Sequence, residues 1–254
     1  MKMKNRLMIL AVTLMVFCSA QAQTRVIAHR GYWKTEGSAQ NSITALLKAD
    51  SIGCYGSEFD VWITKDNHLI VNHDPKIDPY MIEQTDAKTL TAQKLKNGEH
   101  VPTLEAFLKA AKKHTTLKLI LELKHHSTPE REDLAAEKIV KMVERMKLQN
   151  RVEYITFSAN ALRTLLKNAP KGTPVYYLNG EMTPSQLKEL GCAGLDYHYD
   201  VLRKHPEWID ECHRLGMKVN VWTVRNTDVM REFDGRADFL TTDLPAEALK
   251  VVNK

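Results

Sequence analysis

Residues 56–64 read GSEFDVWIT, a strand-length run in which Glu58 and Asp60 stand two apart and therefore share one face of a β-strand. On an exposed antiparallel strand two such carboxylates would face water. On a parallel strand covered on both sides they would be buried, and buried charge is costly unless it is paired or bound to a metal. The rest of the chain decides between these settings. Strand-like runs recur at 25–29 (RVIAH), 117–124 (LKLILELK), 152–157 (VEYITF), 174–178 (PVYYL), 192–197 (CAGLDY), 217–224 (MKVNVWTV) and 237–242 (ADFLTT). Between most of them lie stretches with helical spacing, among them TLEAFLKAAKKH, REDLAAEKIVKMVERMKLQ and PEWIDECHRLG. Several open on Ser, Thr or Pro or close on Gly, as helix caps require. Eight strands alternating with helices predict an α/β chain folded as a (β/α)8 TIM barrel. An open doubly wound sheet is the alternative, weakened because no Gly-rich fingerprint follows the first strand.

The first 22 residues set the compartment. Lys2, Lys4 and Arg6 precede an apolar stretch at 7–17, and SAQAQ at 19–23 supplies an Ala-x-Ala site. The apolar core is too short to span a bilayer, so the pattern predicts a secretory signal peptide cleaved after Ala22, with a periplasmic or secreted product. Lipoprotein attachment through Cys18 is the lesser alternative, opposed by the bulky Phe17. Cleavage removes three of the 36 basic residues and none of the 31 acidic ones, leaving a formal charge of +2. Such a balance gives no reason to expect nucleic acid or an anionic membrane surface as a partner. The remaining cysteines, Cys54, Cys192 and Cys212, are too few for a disulfide scaffold and lack metal-ligand spacing. Residues 23–254 are long enough for one full core, so a single domain is expected.

In such barrels chemistry gathers at the C-terminal ends of the strands. His29 and Arg30 end the first strand, Glu58 and Asp60 lie in the second, Glu122 and Lys124 close the third, and Trp222 falls late in the seventh. After the second strand, a turn at KDN and the returning arm HLIVNHD bring His73 and Asp74 back beside Glu58 and Asp60. Hard oxygen ligands for Mg²⁺ or Ca²⁺, with two imidazoles that exchange protons near neutral pH, suit metal-dependent phosphoryl transfer.

The motifs HRG (29–31), EFDVWIT with HD (58–64, 73–74), VPTLEAFL (101–108), LELK (121–124), VWTV (221–224) and DFLTTDLP (238–245) resemble, in order, the glycerophosphodiester phosphodiesterase family. The resemblance spans the mature chain. It implies a barrel with a small insertion after the second strand, here residues 74–100, and hydrolysis of a small-molecule glycerophosphodiester to glycerol 3-phosphate and an alcohol. Carried over residue by residue, it implies that Glu58, Asp60 and Glu122 bind one divalent cation, that His29 and His73 form the acid–base pair, and that Arg30 and Lys124 hold the phosphate. Trp222 is a candidate pocket wall against glycerol or headgroup carbons. His29 as base and His73 as acid is the working order, which sequence alone leaves open.

One departure stands out. Family members usually read Pro-Glu-Asn-Thr after the His-Arg-Gly loop, where this chain reads AQNS at 39–42, so Gln40 replaces a glutamate in or beside the metal site. A neutral amide oxygen coordinates a hard cation more weakly, which leaves a looser or differently selective metal site, or altered substrate choice. With Glu58, Asp60 and Glu122 retained, an active enzyme is the favoured reading. Two other function classes stand beside it: a related phospholipase-type phosphodiesterase, which would share the barrel and both histidines, and a catalytically degenerate barrel that binds phosphodiesters, for which Gln40 is the motive. Arg225 stands where the family more often has Asn, either as a positive substrate contact or as a solvent-facing residue. Neither headgroup nor oligomeric state can be read from the sequence.

Overall fold

The structure is a computed structural model describing residues 23–252; the expected leader at 1–22 lies outside the described residues. Eight strands form the barrel: β1 Arg25–Ala28, β2 Gly56–Ile63, β3 Lys118–Leu123, β4 Val152–Thr156, β5 Val175–Tyr177, β6 Gly194–His198, β7 Lys218–Val224 and β8 Phe239–Thr242. Each pairs in parallel with its neighbours, and β1 pairs with both β8 and β2, which closes the sheet. The strands expected from sequence are all present, within one or two residues of their expected ends. The arm at Leu69–Val71 returns antiparallel to β2, with Val71 beside Val61, as the turn at KDN predicted.

Apolar side chains sort by strand alternation into two layers. Phe59, Val61, Leu119, Leu121, Tyr154 and Val219 point outward against the helices and belong to the large core. Ile27, Ile120, Ile155, Tyr176, Leu178 and Phe239 fill the barrel interior. Such fully buried side chains each contribute roughly 1.5–3 kcal/mol of transfer free energy. Helices follow where the 3.6-residue pattern placed them, at Ile43–Ser51, Leu104–His114, Pro129–Arg145, Ala159–Asn168, Pro184–Leu190, Glu207–Arg214 and Thr227–Phe233. Ser42, Thr103, Thr128, Ser158 and Thr183 cap five of them through side-chain oxygens, each cap worth about 1 kcal/mol. Helices at Tyr199–Lys204 and Pro245–Val252 complete the ring and have no counterpart in the sequence reading.

Residues 74–100 build a two-stranded ribbon, Lys76–Ile77 with Tyr80–Met81, followed by a short helix at Ala87–Thr91. Ile82, Leu90 and Val101 pack on Trp62 and Ile70 in a separate small core. Cys54, Cys192 and Cys212 are free and buried, and burial pushes their thiols up to about 12, 11 and 12. Among the described residues no helix is long and apolar enough to cross a membrane.

Candidate active site

Strand register gathers the acids. Asp60 and Glu122 are direct partners across β2 and β3, and Glu58 sits two residues before Asp60 on the same inward face. Ligand atoms of Glu58, Asp60 and Glu122 all lie within 4.8 Å of one another, and all three residues are buried. Burial and the charges of Asp60 and Glu122 push the Glu58 carboxyl well above the usual carboxylate range. Burial and the Asp60 charge push Glu122 up to about 8, against the pull of Lys124. Asp60 stays low despite its burial, because the Lys124, His73 and Arg30 charges favour its ionised form. Asn41 braces it, donating to Oδ2 at 2.8 Å and accepting from the Asp60 amide at 3.2 Å.

The raised Glu58 and Glu122 carboxyls register both burial and the mutual repulsion of three acids converging on one point. Glu58 Oε1 has no hydrogen-bond partner. An all-oxygen donor set with an unused buried carboxylate oxygen fits a hard divalent cation such as Mg²⁺ or Ca²⁺.

Around the acids stand the expected cations and imidazoles. Lys124 Nζ lies 2.7 Å from Glu122 and 3.2 Å from Asp60. The Arg30 amide donates to Glu58 at 2.7 Å, while its guanidinium donates to Gln40 Oε1 at 2.8 Å and its Nε lies 3.8 Å from Asp60. Gln40 thus holds Arg30 through a neutral acceptor, which leaves the guanidinium charge unmatched at that contact. The loop reaches this shape through left-handed backbone at Arg30 (φ 56°) and Gly31 (φ 77°). A Cβ on Gly31 would lie 2.6 Å from the Ala45 Cβ, so only glycine fits there.

His29 leaves β1 beside the residue that follows β8. Its Nδ1 lies 2.6 Å from Asp243 Oδ1, and its Nε2 faces Glu58 at 4.0 Å. Burial lowers the His29 pKa, opposed by the Asp243 hydrogen bond. Asp243 also accepts from Arg225 Nε and from the Trp33 indole. Although burial raises its pKa, the hydrogen bonds from His29 and Arg225 hold its carboxyl far below the usual range. His73 is delivered by the antiparallel arm; its Nδ1 lies 2.7 Å from Asp74, and burial lowers its pKa against the Asp60 charge.

These residues open onto a cavity of about 220 Å³. His29, Arg30, Glu58, His73, Glu122 and Lys124 line one side, and Phe157, Leu178, His198 and Trp222 line the other, with Asp196 and Arg225. All the residues singled out from sequence therefore lie at one mouth, Asp60 directly beneath the lining through its contacts to Arg30 and Lys124. Residues 74–100 do not line the cavity, because their apolar side chains are committed to the Trp62 and Ile70 face. His126, in the loop after β3, is buried and accepts from the Ile63 amide at 3.0 Å. The sequence reading left out Asp243, Asn41 and Asp196. The position of Asp243 directly after a barrel strand was the available signal for it.

Fold and mouth together define the class: a (β/α)8 barrel with acids, imidazoles and cations gathered at the C-terminal ends of its strands. The chain belongs to the glycerophosphoryl diester phosphodiesterase family, whose sequence profile matches residues 29–247. A glycerophosphodiester phosphodiesterase from Caldanaerobacter subterraneus is 29% identical over 247 residues, covering 91% of this chain and 99% of that protein. The crystal structure of a glycerophosphodiester phosphodiesterase from Parabacteroides distasonis superposes with a TM-score of 0.89 at 53% identity, covering 91% of this chain and 98% of that one. An Oleispira antarctica phosphodiesterase, solved in complex with the product sn-glycerol-3-phosphate, shares the fold at a TM-score of 0.75 and 21% identity, covering 91% and 98%.

Proposed function

We propose that this chain hydrolyses glycerophosphodiesters to glycerol 3-phosphate and an alcohol, using one divalent cation, Mg²⁺ or Ca²⁺, held by Glu58, Asp60 and Glu122. The observation that carries this reading is the convergence of those three buried carboxylates within 4.8 Å, at a mouth also lined by His29 and His73. The relative from Caldanaerobacter subterraneus bears the name of this activity, and the Oleispira antarctica barrel holds its product.

A phosphodiester anion repels nucleophiles, so its non-bridging oxygens must be neutralised before attack. The cation, when bound, supplies Lewis-acid positive charge at those oxygens. Arg30 and Lys124 add fixed positive charge and hold the phosphate, and Trp222 supports the carbon part of the substrate. With Nδ1 engaged by Asp243, His29 has Nε2 left to accept a proton; its lowered pKa keeps it neutral at pH 7, the form a base requires. His73, whose protonated form burial opposes and the Asp60 charge favours, then protonates the leaving alkoxide. The nucleophile that His29 deprotonates is the neighbouring glycerol hydroxyl, giving a cyclic phosphate that water opens.

The test is release of glycerol 3-phosphate from glycerophosphocholine, glycerophosphoethanolamine and glycerophosphoglycerol. The reading predicts turnover of at least one of them with an added divalent cation; no turnover of any, with Mg²⁺ or Ca²⁺, overturns it. Export is part of the proposal, and the amino-terminal sequence of the processed protein, expected to begin at Gln23, checks it.

A further inference from the structure

One side of the cavity holds a carboxyl group that the proposed chemistry does not use. Asp196, on β6, is 2% exposed and lines the cavity. Its Oδ1 has no hydrogen-bond partner. In the closed sheet β6 stands four strands from β2, across the barrel from the acidic cluster. The backbone there is fixed, because the Trp222 indole donates to the Asp196 carbonyl at 2.8 Å. Phe157 packs edge-on to Trp222 at 5.4 Å, and the polar neighbours of the carboxyl are Asn220, its register partner on β7, and Glu153.

A buried acceptor left without a donor costs about 1–3 kcal/mol, and a few placed polar groups are what fix the orientation of a ligand in its pocket. The donor it requires is not the phosphate, which is itself an acceptor and is drawn to Arg30 and Lys124 on the far wall. Two donors remain in a glycerophosphodiester: the glycerol hydroxyls and an ammonium on some headgroups. Burial pushes the Asp196 carboxyl up to about 7, the Asn220 hydrogen bond opposing and the Glu153 charge adding. Near neutral pH the group therefore exists in both forms. A hydroxyl donates and accepts, so it matches either form; an ammonium only donates and matches one.

We infer that Asp196 is the specificity residue for the glycerol moiety, its Oδ1 paired with a glycerol hydroxyl, so that the site selects polyol phosphate esters over plain alkyl ones. The inference rests on the phosphodiesterase reading and adds the residue that recognises the organic half of the substrate. A site built to hydrogen-bond a substrate hydroxyl rejects the analogue lacking it far more strongly than an apolar pocket can.

The experiment is calorimetric binding of sn-glycerol 3-phosphate and of ethyl phosphate, with saturating Mg²⁺, to the wild type, Asp196→Asn and Asp196→Leu, with thermal melts confirming that each variant folds. The wild type is expected to prefer glycerol 3-phosphate by about tenfold or more. Asp196→Leu is expected to lose that preference while keeping its affinity for ethyl phosphate. In Asp196→Asn the amide still pairs with a hydroxyl, as the protonated carboxyl does, so the preference is expected to persist in part. An undiminished preference in Asp196→Leu overturns the inference, and so does an equal loss of both ligands in that variant. A wild type that binds both esters equally defeats the inference alone; one that binds neither defeats the phosphodiesterase reading with it.

Discussion

His29 Nδ1 and Asp243 Oδ1 stand 2.6 Å apart although 214 residues separate them in the chain. The contact exists because β1 and β8 are neighbours in the closed barrel, with Ala28 beside Thr242, so the residue after each strand meets its counterpart. It fixes the imidazole tautomer and aims Nε2 at the acidic cluster, much as a buried aspartate orients a catalytic histidine in other hydrolases.

Replacing Asp243 with asparagine keeps the shape but removes the charge and one of its two acceptor oxygens, so with Arg225 holding the remaining oxygen an N–H faces His29 and favours the other tautomer. We expect kcat to fall by about 10²–10⁴-fold, the range of a general base, with an unchanged far-UV spectrum. Arg225→Ala, which removes only the more exposed partner of Asp243, is the control and should cost less than about tenfold, as partly exposed pairs do.

Cation binding should stabilise the fold. A ligand at 100 times its Kd adds about 2.7 kcal/mol, which for a domain of this size raises Tm by about 5–10 °C. Calorimetric melts with Mg²⁺ or Ca²⁺ and with chelator will show this rise in the wild type. In Asp60→Asn the rise should vanish; an equal rise there would place the cation elsewhere.

Gly31→Ala tests the loop that carries Arg30. A left-handed φ of 77° and a Cβ only 2.7 Å from the Ala45 backbone carbon force the loop to move; strain of about 1–3 kcal/mol is expected, with loss of activity as Arg30 leaves the mouth. Gly37, also left-handed at φ 69° but with open space around its Cβ, is the comparison: Gly37→Ala should lower Tm less and leave turnover intact.

Acid sensitivity has a separate source at the other end of the barrel. Asp238 accepts from Lys218 Nζ at 2.6 Å, His213 at 2.9 Å and the Val219 amide at 3.0 Å. Burial raises its pKa, yet these bonds outweigh that and hold it below the usual carboxylate value. A depressed folded-state pKa contributes stability that is fully present above the unfolded value of about 3.9 and is lost as pH falls through the folded value. Urea midpoints of the wild type and Asp238→Asn should therefore differ at pH 7 and converge as pH falls through the depressed folded value. A constant gap at all pH values would contradict this account.

The barrel was legible because its strands are apolar runs, and the alternation that buries Phe59 and Val61 outward turns Glu58 and Asp60 inward. The acids, both imidazoles, Arg30, Lys124 and Trp222 were legible from strand-end position and from family resemblance. Asp243, Asn41 and Asp196 were not, since a single polar residue has no period and its partner lies far along the chain, as with Asn41 and Asp60. The helix at Tyr199–Lys204 follows β6 with no break between them, His198 both ending the strand and capping the helix, and the helix at Pro245–Val252 is absent from the sequence reading although Pro245 marks its start. Gln40 read as a weakened metal ligand; its amide oxygen turns instead to Arg30, a choice that depends on where the guanidinium folds back.

The central claim is that a cation on three carboxylates and a proton-accepting His29 act together on a phosphodiester. The most direct measurement is turnover of glycerophosphocholine by metal-stripped protein, before and after Mg²⁺ or Ca²⁺ is restored, for wild type and His29→Ala. The account predicts no turnover without cation, turnover on restoration, and a loss of about 10²-fold or more in His29→Ala. Full turnover in the presence of chelator, or an undiminished rate in His29→Ala, would contradict it.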